Sequence, residues 1–311
     1  MSQQNKYGFV FEIHCPIIHG GELPANATLT SATQTCEEAN TYLAIEYPVH
    51  HVGGFAVCPK AAFGNLKSQR IIEFFEMQKL LGVDMVVILV MEGLNEDALK
   101  VLDYYKSTGY AHLYPYKTRH PKPDFMWPNY KTESRAILAY CTYSMKGYTY
   151  ASMLDFDEII LPKDKMTIKS FLKAELATHP YMGTIQFKQK VFVLENCSEP
   201  FDGLTTFEKY RYATKPLRTR MKSIYINQRM AKITSSHFAH LRPGYKKVRS
   251  RDTYFHHYRN CPFYTNCSSD RLHYDDDILP YVSDVDAAIV KLRNQRPDLF
   301  QQVSTNENQP S

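Results

Sequence analysis

The stretch of sequence that decides the fold is Tyr150-Ala151-Ser152-Met153-Leu154-Asp155-Phe156-Asp157-Glu158-Ile159-Ile160-Leu161-Pro162. An apolar run leads into three acids and then becomes apolar again, which is typical of a buried strand in a parallel sheet. Residues two apart on a strand point to the same side, so we expect Asp155 and Asp157 to face one way and Phe156 the other. Two carboxylates at a strand end are costly unless neutralised. A divalent cation with substrate phosphates would neutralise them.

A simpler interpretation of an isolated Asp-x-Asp is a strand-end turn with solvated acids, because short motifs often match by chance. The apolar runs on both sides of the acids favour the buried strand. The elements that precede this stretch favour it as well.

Strands and helices alternate between residues 52 and 162. Hydrophobic periodicity predicts helices over 68–81, 95–107 and 133–143, and strands over 53–59, 83–90 and 110–116. Gly82 and Gly109 are expected to end the first two helices. This alternation predicts an α/β fold with a mainly parallel central sheet and helices on both faces. Ligands of such sheets bind at the carboxyl ends of the strands, where Asp155 and Asp157 fall.

The second half of the chain has a different character. The pattern predicts helices over 166–176 and 284–293, and strands over 181–194, 223–227 and 230–233. We divide the chain into an N-terminal extension (1–51), a main domain (52–275) and a C-terminal helix with a disordered tail (276–311). The main domain is predicted to comprise a nucleotide-binding half (52–162) and an acceptor half (163–275).

Composition excludes several classes of protein. The 311 residues are 44% hydrophobic and 22% charged, an ordinary globular balance. The net charge of +5 suits an anionic small ligand, and we expect no nucleic-acid partner. Neither G-x-G-x-x-G nor G-x-x-x-x-G-K-[ST] occurs, which disfavours a dinucleotide site and a P-loop.

The cysteines and glycosylation tripeptides bear on the compartment. The seven cysteines show no zinc-binding spacing, and Cys261 and Cys267 are close enough to pair in an oxidising compartment. Acceptor tripeptides for N-glycosylation begin at Asn26, Asn196 and Asn266, which favours the secretory pathway. The sequence has no signal peptide and no run of about 18 apolar residues, so we expect membrane attachment only through an anchor outside this sequence.

A metal site at Asp155 and Asp157 would need a third ligand, and histidine is the obvious one. Two clusters downstream supply candidates, namely 236–240 with His237 and 255–259 with His257. A lone histidine is more often structural, but beside an Asp-x-Asp pair we expect one of these to bind metal. Basic residues surround both clusters between 215 and 259, and some of them, including Arg259, would neutralise a diphosphate.

Four blocks of the sequence resemble glycosyltransferase family 92, formerly a domain of unknown function, DUF23. The resemblance covers roughly residues 52–259, in the order of the family. The blocks are Glu73-Phe74-Phe75-Glu76-Met77-Gln78-Lys79-Leu80-Leu81-Gly82-Val83, Val101-Leu102-Asp103-Tyr104-Tyr105, Leu154-Asp155-Phe156-Asp157-Glu158-Ile159-Ile160-Leu161-Pro162 and His257-Tyr258-Arg259.

The resemblance implies a GT-A-like fold and an inverting, manganese-dependent transfer of a sugar, with galactose as first candidate, from a UDP-sugar to a glycan or glycoprotein acceptor. It also implies a membrane-anchored form in the Golgi. By position, Asp155, Asp157 and Arg259 are expected to bind the donor. Asp155 and Asp157, with His257 or His237, are expected to hold the Mn²⁺ or another divalent cation.

Three points stay open from the sequence. An inverting reaction needs a general base, and Glu195, Asp202 and Asp270 are candidates among otherwise ordinary surface acids. A degenerate, non-catalytic sugar- or nucleotide-binding relative is one alternative. A phosphatase of the haloacid-dehalogenase type is another, because it also places Asp-x-Asp after an apolar strand. That motif usually has Thr or Val where this chain has Ile159, and it opens the sheet.

Overall fold

A computed structural model describes residues 23–31, 33–39, 41–117, 129–194, 200–262 and 264–300. Within these ranges the helices are α1 (Ser68–Leu80), α2 (Glu96–Ser107), α3 (Asn129–Ser144), α4 (Ile168–Thr178), α5 (Thr206–Lys209) and α6 (Leu279–Gln295). The strands are β1 (Asn26–Ala27), β2 (Leu43–Ala44), β3 (His51–Cys58), β4 (Ala61–Ala62), β5 (Met85–Met91), β6 (Ala111–Tyr116), β7 (Tyr148–Met153), β8 (Glu158–Leu161), β9 (Met182–Val193), β10 (Tyr212–Thr214), β11 (Leu217–Ile226), β12 (Met230–Ile233), β13 (Ala239–Leu241), β14 (Lys246–Arg259) and β15 (Leu272–Tyr274).

One sheet of eleven strands dominates the described part of the chain. Its first half is parallel, since β3 pairs in parallel with β5 and β7, and β5 pairs in parallel with β4 and β6. Its second half is mixed, because β11 runs antiparallel to both β7 and β9 while β14 runs parallel to β9. The predicted α/β class is confirmed. Parallel pairing is concentrated where strands and helices alternate along the chain.

The first three predicted helices form because their apolar residues cover the sheet. On α1, Ile71, Phe74 and Phe75 are buried, and Phe75 stacks on Tyr105 of α2 with ring centroids 4.0 Å apart. Asn95 caps α2 by accepting a hydrogen bond from the Ala98 backbone N–H at 2.8 Å. Gly82 and Gly109 follow α1 and α2 with φ of +80° and +74°, a conformation that favours glycine.

One hydrophobic core joins residues from both predicted halves of the main domain. It includes Phe55 and Ile88 from the first half, Ile185 and Phe255 from the second, and Ile289 of α6. The described N-terminal residues before β3 lie mostly exposed and form a small two-stranded sheet from β1 and β2. The division into an extension, two halves and a tail stays a prediction, and the predicted disordered tail, 301–311, lies outside the described residues.

The second half of the fold differs most from the sequence prediction. The 14-residue strand β14 was not predicted, because its first half is basic and largely exposed and shows no apolar period. Its second half is buried between β8 and β9. The last helix is longer than predicted and begins with proline in its first turn. No helix in the described ranges combines the length and apolarity needed to cross a membrane.

Two disulfides join described cysteines. Cys261–Cys267 confirms the pairing suggested by the sequence. Cys58–Cys141 was not predicted, and it links the end of β3 to α3 across 83 residues of sequence. Both Cys58 and Cys141 are fully buried beneath the carboxyl end of the sheet.

Replacing both Cys58 and Cys141 by alanine should lower the free energy of unfolding by about 4.5 kcal/mol, because this disulfide closes a long loop in the unfolded chain. Denaturation in urea measures the change. The matched control is the Cys261→Ala/Cys267→Ala variant, for which the shorter loop of 6 residues predicts a loss of about 2.2 kcal/mol. Equal losses in the two variants would contradict loop closure as the main effect.

Candidate functional site

The predicted acid pair lies at the carboxyl edge of the parallel strands. Strand β7 ends at Met153, and Asp155 and Asp157 lie in the turn that leads into β8. The prediction that Asp155 and Asp157 lie on the strand and face one way is therefore wrong, since both residues follow the strand. Phe156 does point away from them, and it packs edge-on against Phe74 with centroids 5.2 Å apart. Within this turn the two carboxylates contact different partners: Asp155 contacts lysines, and Asp157 lies beside His257.

Asp155 is held by two lysines from different elements. Lys60, between β3 and β4, places its ammonium 2.9 Å from Oδ1 and 3.1 Å from Oδ2. Lys222 of β11 lies 3.2 Å from Oδ2. Burial alone would raise the pKa of the Asp155 carboxyl, but the charges of Lys222 and Lys60 hold it far below its usual range. Asp155 is thus an ionised carboxylate at all physiological pH values.

Glu158 completes the ion pairs beneath the turn. Its carboxylate is almost fully buried, lies 2.5 Å from the Lys222 ammonium and accepts the Asp155 backbone N–H at 2.8 Å. Burial by itself would lower the pKa of Lys222, but Asp155 and Glu158 raise it above its usual value. Lys222 is therefore a fixed charge inside the protein, with only 1% of its side chain exposed.

Asp157 faces His257, which arrives on β14. The His257 Nε2 is 3.4 Å from the Asp157 Oδ2, and the Arg70 guanidinium is 3.8 Å from the same oxygen. Pairing of β14 with β8 aligns His257 with Glu158, and the Tyr258 backbone N–H donates to the Asp157 carbonyl oxygen at 2.9 Å. Two of the predicted metal ligands, Asp157 and His257, are thus brought together.

His237 is poised as a neutral imidazole. Its Nδ1 lies 3.0 Å from the Met221 carbonyl oxygen, which can only accept, so Nδ1 carries the proton and Nε2 the lone pair. Burial, reinforced by the charge of Lys222, lowers the pKa of His237 to about 4. The charge of Asp155 also acts on this ring, so the two groups belong to the same region.

The structure describes three of the four remaining predicted residues. Arg259 ends β14, and its Nε donates to the Asn260 carbonyl oxygen at 3.3 Å. Asp202 and Asp270 are exposed on the surface. Glu195 lies outside the described residues. Their assignments as donor-binding residue and general bases stay predictions.

A different group has the tightest geometry for a metal among the described residues. Ligand atoms of His256, Asp275 and Asp277 all lie within 4.8 Å of one another. The Lys190 ammonium already contacts both carboxylates, at 2.6 Å from Asp277 and closer still to Asp275. Lys190 thus offsets one of these two negative charges, and the group ties the segment before α6 to β9.

The turn at 155–158 was tested for its fit to a divalent cation. Carboxylate oxygens and imidazole nitrogens are the donor set that Mn²⁺ and similar ions accept. Gln189 Nε2 lies 2.8 Å from His257 Nδ1, and its Oε1 is buried with no hydrogen-bond partner in the described part of the chain. Rotating this amide would put Oε1 on Nδ1–H and leave the lone pair on Nε2, beside Asp157. The residues present fit the ion.

Sequence reasoning missed Lys60, Arg70 and the buried acid of the site, and it included Lys222 only among the basic residues of 215–259 that would neutralise a diphosphate. Lys60 lies between β3 and β4, Arg70 on α1 and Lys222 on β11, and only the tertiary fold brings them to the acids. The sequence did contain one signal for Glu158. An acid inside an otherwise apolar block is expected to be buried and therefore to pair with a buried basic residue. Lys60 carries a structural signal, a φ of +66°, which is disfavoured for lysine and clusters at functional sites.

The family described as Glycosyltransferase family 92 matches residues 53–287 of this chain. No curated protein matches the sequence. HddC from Yersinia pseudotuberculosis is similar over 65% of this chain and 92% of its own, with 13% identity and a TM-score of 0.31. A UDP-glucose pyrophosphorylase complexed with UDP-glucose is similar over 76% and 99%, with 10% identity and a TM-score of 0.27. We draw no functional conclusion from structures this distant.

Replacing Lys222 by methionine should lower the free energy of unfolding by about 3–5 kcal/mol, because Glu158 would remain as a buried charge without its partner. Chemical denaturation measures the loss. The double variant Lys222→Met/Glu158→Leu should recover most of it. As a control, Lys169→Met removes the half-exposed pair with Asp84 and should cost less than about 1 kcal/mol. A similarly small loss for Lys222→Met would count against the buried network.

The stability of the protein should fall on acidification through His256. Burial and the Lys190 charge lower the pKa of His256 to about 3 from 6.5, so below pH 6.5 the unfolded chain binds a proton that the folded chain does not. This site should cost about 2 kcal/mol of unfolding free energy between pH 7 and pH 5. Urea denaturation at both pH values measures this change. Between pH 7 and pH 5, His256→Gln should lose about 2 kcal/mol less unfolding free energy than wild type. Replacing the exposed His112 is the control, and identical pH dependence in wild type and His256→Gln would contradict the prediction.

Proposed function

This chain belongs to glycosyltransferase family 92, and from that premise we propose that it transfers a sugar from a UDP-sugar to a glycan acceptor with inversion at the anomeric carbon. Galactose is the first candidate for the sugar, as the family suggests. The acceptor would be a glycan or a glycoprotein. The proposal places the donor diphosphate at the turn that carries Asp155 and Asp157.

The charge balance of this turn is the observation that supports the proposal. Three carboxylates (Asp155, Asp157 and Glu158) are paired with three cations (Lys60, Arg70 and Lys222) at 2.5 to 3.8 Å, so their formal charges sum to zero. A nucleoside diphosphate brings two to three negative charges, which a neutral site cannot offset. A divalent cation would supply two of the missing positive charges. The acids then serve to hold that cation.

Each residue receives a role under this proposal. Asp157 and His257 would hold the divalent cation, with Asp155 and His237 as the further ligands predicted from the sequence. The ion supplies Lewis-acid stabilisation of the leaving diphosphate. Arg70 and Lys60 would neutralise phosphate oxygens, and Arg259 would bind the donor. A carboxylate must take the proton of the acceptor hydroxyl, for which Glu195, Asp202 and Asp270 are the candidates.

We also propose that the protein works in the secretory pathway, in the Golgi, attached to the membrane through an anchor outside this sequence. The two disulfides support an oxidising compartment. Asn26 and Asn266, which begin two of the glycosylation tripeptides, are both exposed. Enzymatic removal of N-glycans from the expressed protein, read as a shift in mass, tests this location.

Titration calorimetry with UDP tests the proposed function. UDP should bind in the presence of Mn²⁺ and at least tenfold more weakly without it, because the turn alone is electrically neutral. Asp157→Asn should abolish the Mn²⁺-dependent part while leaving the thermal unfolding temperature close to wild type, since Asp157 is partly exposed. His257→Ala should weaken Mn²⁺-dependent binding more than His237→Ala.

The matched control for these variants is Asp202→Asn, an exposed acid that the proposal does not assign to the metal. Its UDP affinity should equal that of wild type. Absence of UDP binding with and without Mn²⁺ would overturn the donor assignment and favour the non-catalytic alternative. Equal UDP affinity with and without Mn²⁺ would overturn the metal assignment alone.

A further inference from the structure

The Lys60 ammonium contacts both oxygens of the Asp155 carboxylate. It lies 2.9 Å from Oδ1 and 3.1 Å from Oδ2, whereas Lys222 contacts Oδ2 only. A hard divalent cation binds carboxylates through these same oxygens. A cation at Asp155 and the Lys60 ammonium therefore compete for one pair of acceptor atoms.

Lys60 and Lys222 differ in their freedom to move. Lys222 is buried, with 1% of its side chain exposed, and its second partner Glu158 is buried as well. Lys60 is 23% exposed, and Asp155 is the acid that it pairs with. Its backbone is anchored independently, because its carbonyl oxygen accepts the Leu89 N–H at 3.1 Å. The Lys60 side chain can thus leave Asp155 while its backbone stays in place.

The backbone conformation of Lys60 is one that favours glycine, so a lysine at this position indicates a role for its side chain. Its φ of +66° lies in the left-handed region, which lysine adopts rarely and glycine readily. Glycine at this position would relieve the strain. The strained lysine projects its ammonium onto Asp155 from the carboxyl end of β3, and such strain is typical of functional sites.

We propose that Lys60 is an exchangeable counter-ion that makes metal binding depend on donor binding. Without a donor, its ammonium neutralises Asp155 and opposes the divalent cation. When the donor diphosphate binds, the ammonium transfers to a phosphate oxygen and the Asp155 oxygens become available to the cation. This inference rests on the proposed donor site, and it adds an order of events that the family assignment does not contain.

The exchange has a thermodynamic consequence. Donor binding should tighten metal binding, and by linkage the metal should tighten donor binding by the same factor. Removing the Lys60 ammonium should act with opposite signs on the two ligands. A variant without this ammonium should bind the cation more tightly in the absence of donor. The same variant should bind UDP more weakly in the presence of the cation.

The test measures Mn²⁺ binding by the loss of the electron paramagnetic resonance signal of the free ion, with and without saturating UDP. In Lys60→Gln and Lys60→Gly, the dissociation constant of Mn²⁺ alone should fall threefold or more, and the tightening caused by UDP should shrink by at least the same factor. Lys60→Arg keeps the charge and should retain the coupling of wild type. Agreement between Lys60→Gln and Lys60→Gly separates the ammonium from backbone strain.

The matched control is Lys169→Gln, which removes a lysine–aspartate pair with Asp84 at the opposite, amino end of β5. Its Mn²⁺ affinity should equal that of wild type. Mn²⁺-dependent UDP binding in wild type, with a change of less than threefold in both Lys60 variants, would overturn the exchange and leave the proposed function standing. Failure of wild type to bind UDP with Mn²⁺ would overturn the proposed function and the exchange together.

Discussion

A buried lysine ammonium constrains the whole carboxyl edge of the sheet. Lys222 is 1% exposed, and a charge in that position requires acids within contact distance. Glu158 and Asp155 meet this requirement; Asp155 lies in the turn between β7 and β8, and Glu158 is the first residue of β8. These ion pairs attach the turn to β11. They also fix the position of Asp157, which lies between Asp155 and Glu158 in the chain. Rigid support of this kind is what a ligand site needs if its groups are to keep their geometry.

The pairing of β8 with β14 adds the second half of the site. The short strand β8 aligns His257 with Glu158 and brings the imidazole within 3.4 Å of Asp157. The same strand β14 runs beside β9, whose Gln189 contacts the second ring nitrogen of His257, Nδ1. The apolar residues of the "LDFDEIILP" block therefore do two things. They bury β8 in the core, and they place the acids where a distant strand supplies histidine and β11 supplies lysine.

Neutrality distinguishes this site from a plain cluster of acids. Acidic residues in excess would attract cations without selectivity, whereas here every carboxylate has a basic partner. A divalent cation and a diphosphate together change the total charge little, while either one alone unbalances it. The His256–Asp275–Asp277 group differs, because its two carboxylates share the single cation Lys190.

The sequence by itself determined the α/β class, the strand–helix alternation of the first half and the location of the acid pair after a buried strand. Those features depend on periodicity and turn residues within short windows, which is why Gly82 and Gly109 could be read as helix ends. It did not reveal β14, whose basic residues conceal a strand, or Lys60 and Arg70. Only the tertiary structure decided that Lys60 and Lys222 converge on Asp155, and that His257, one of two predicted histidines, contacts Asp157. The physical reason is that strand register between distant segments is set by packing and charge pairing across the sheet, and no local pattern encodes it.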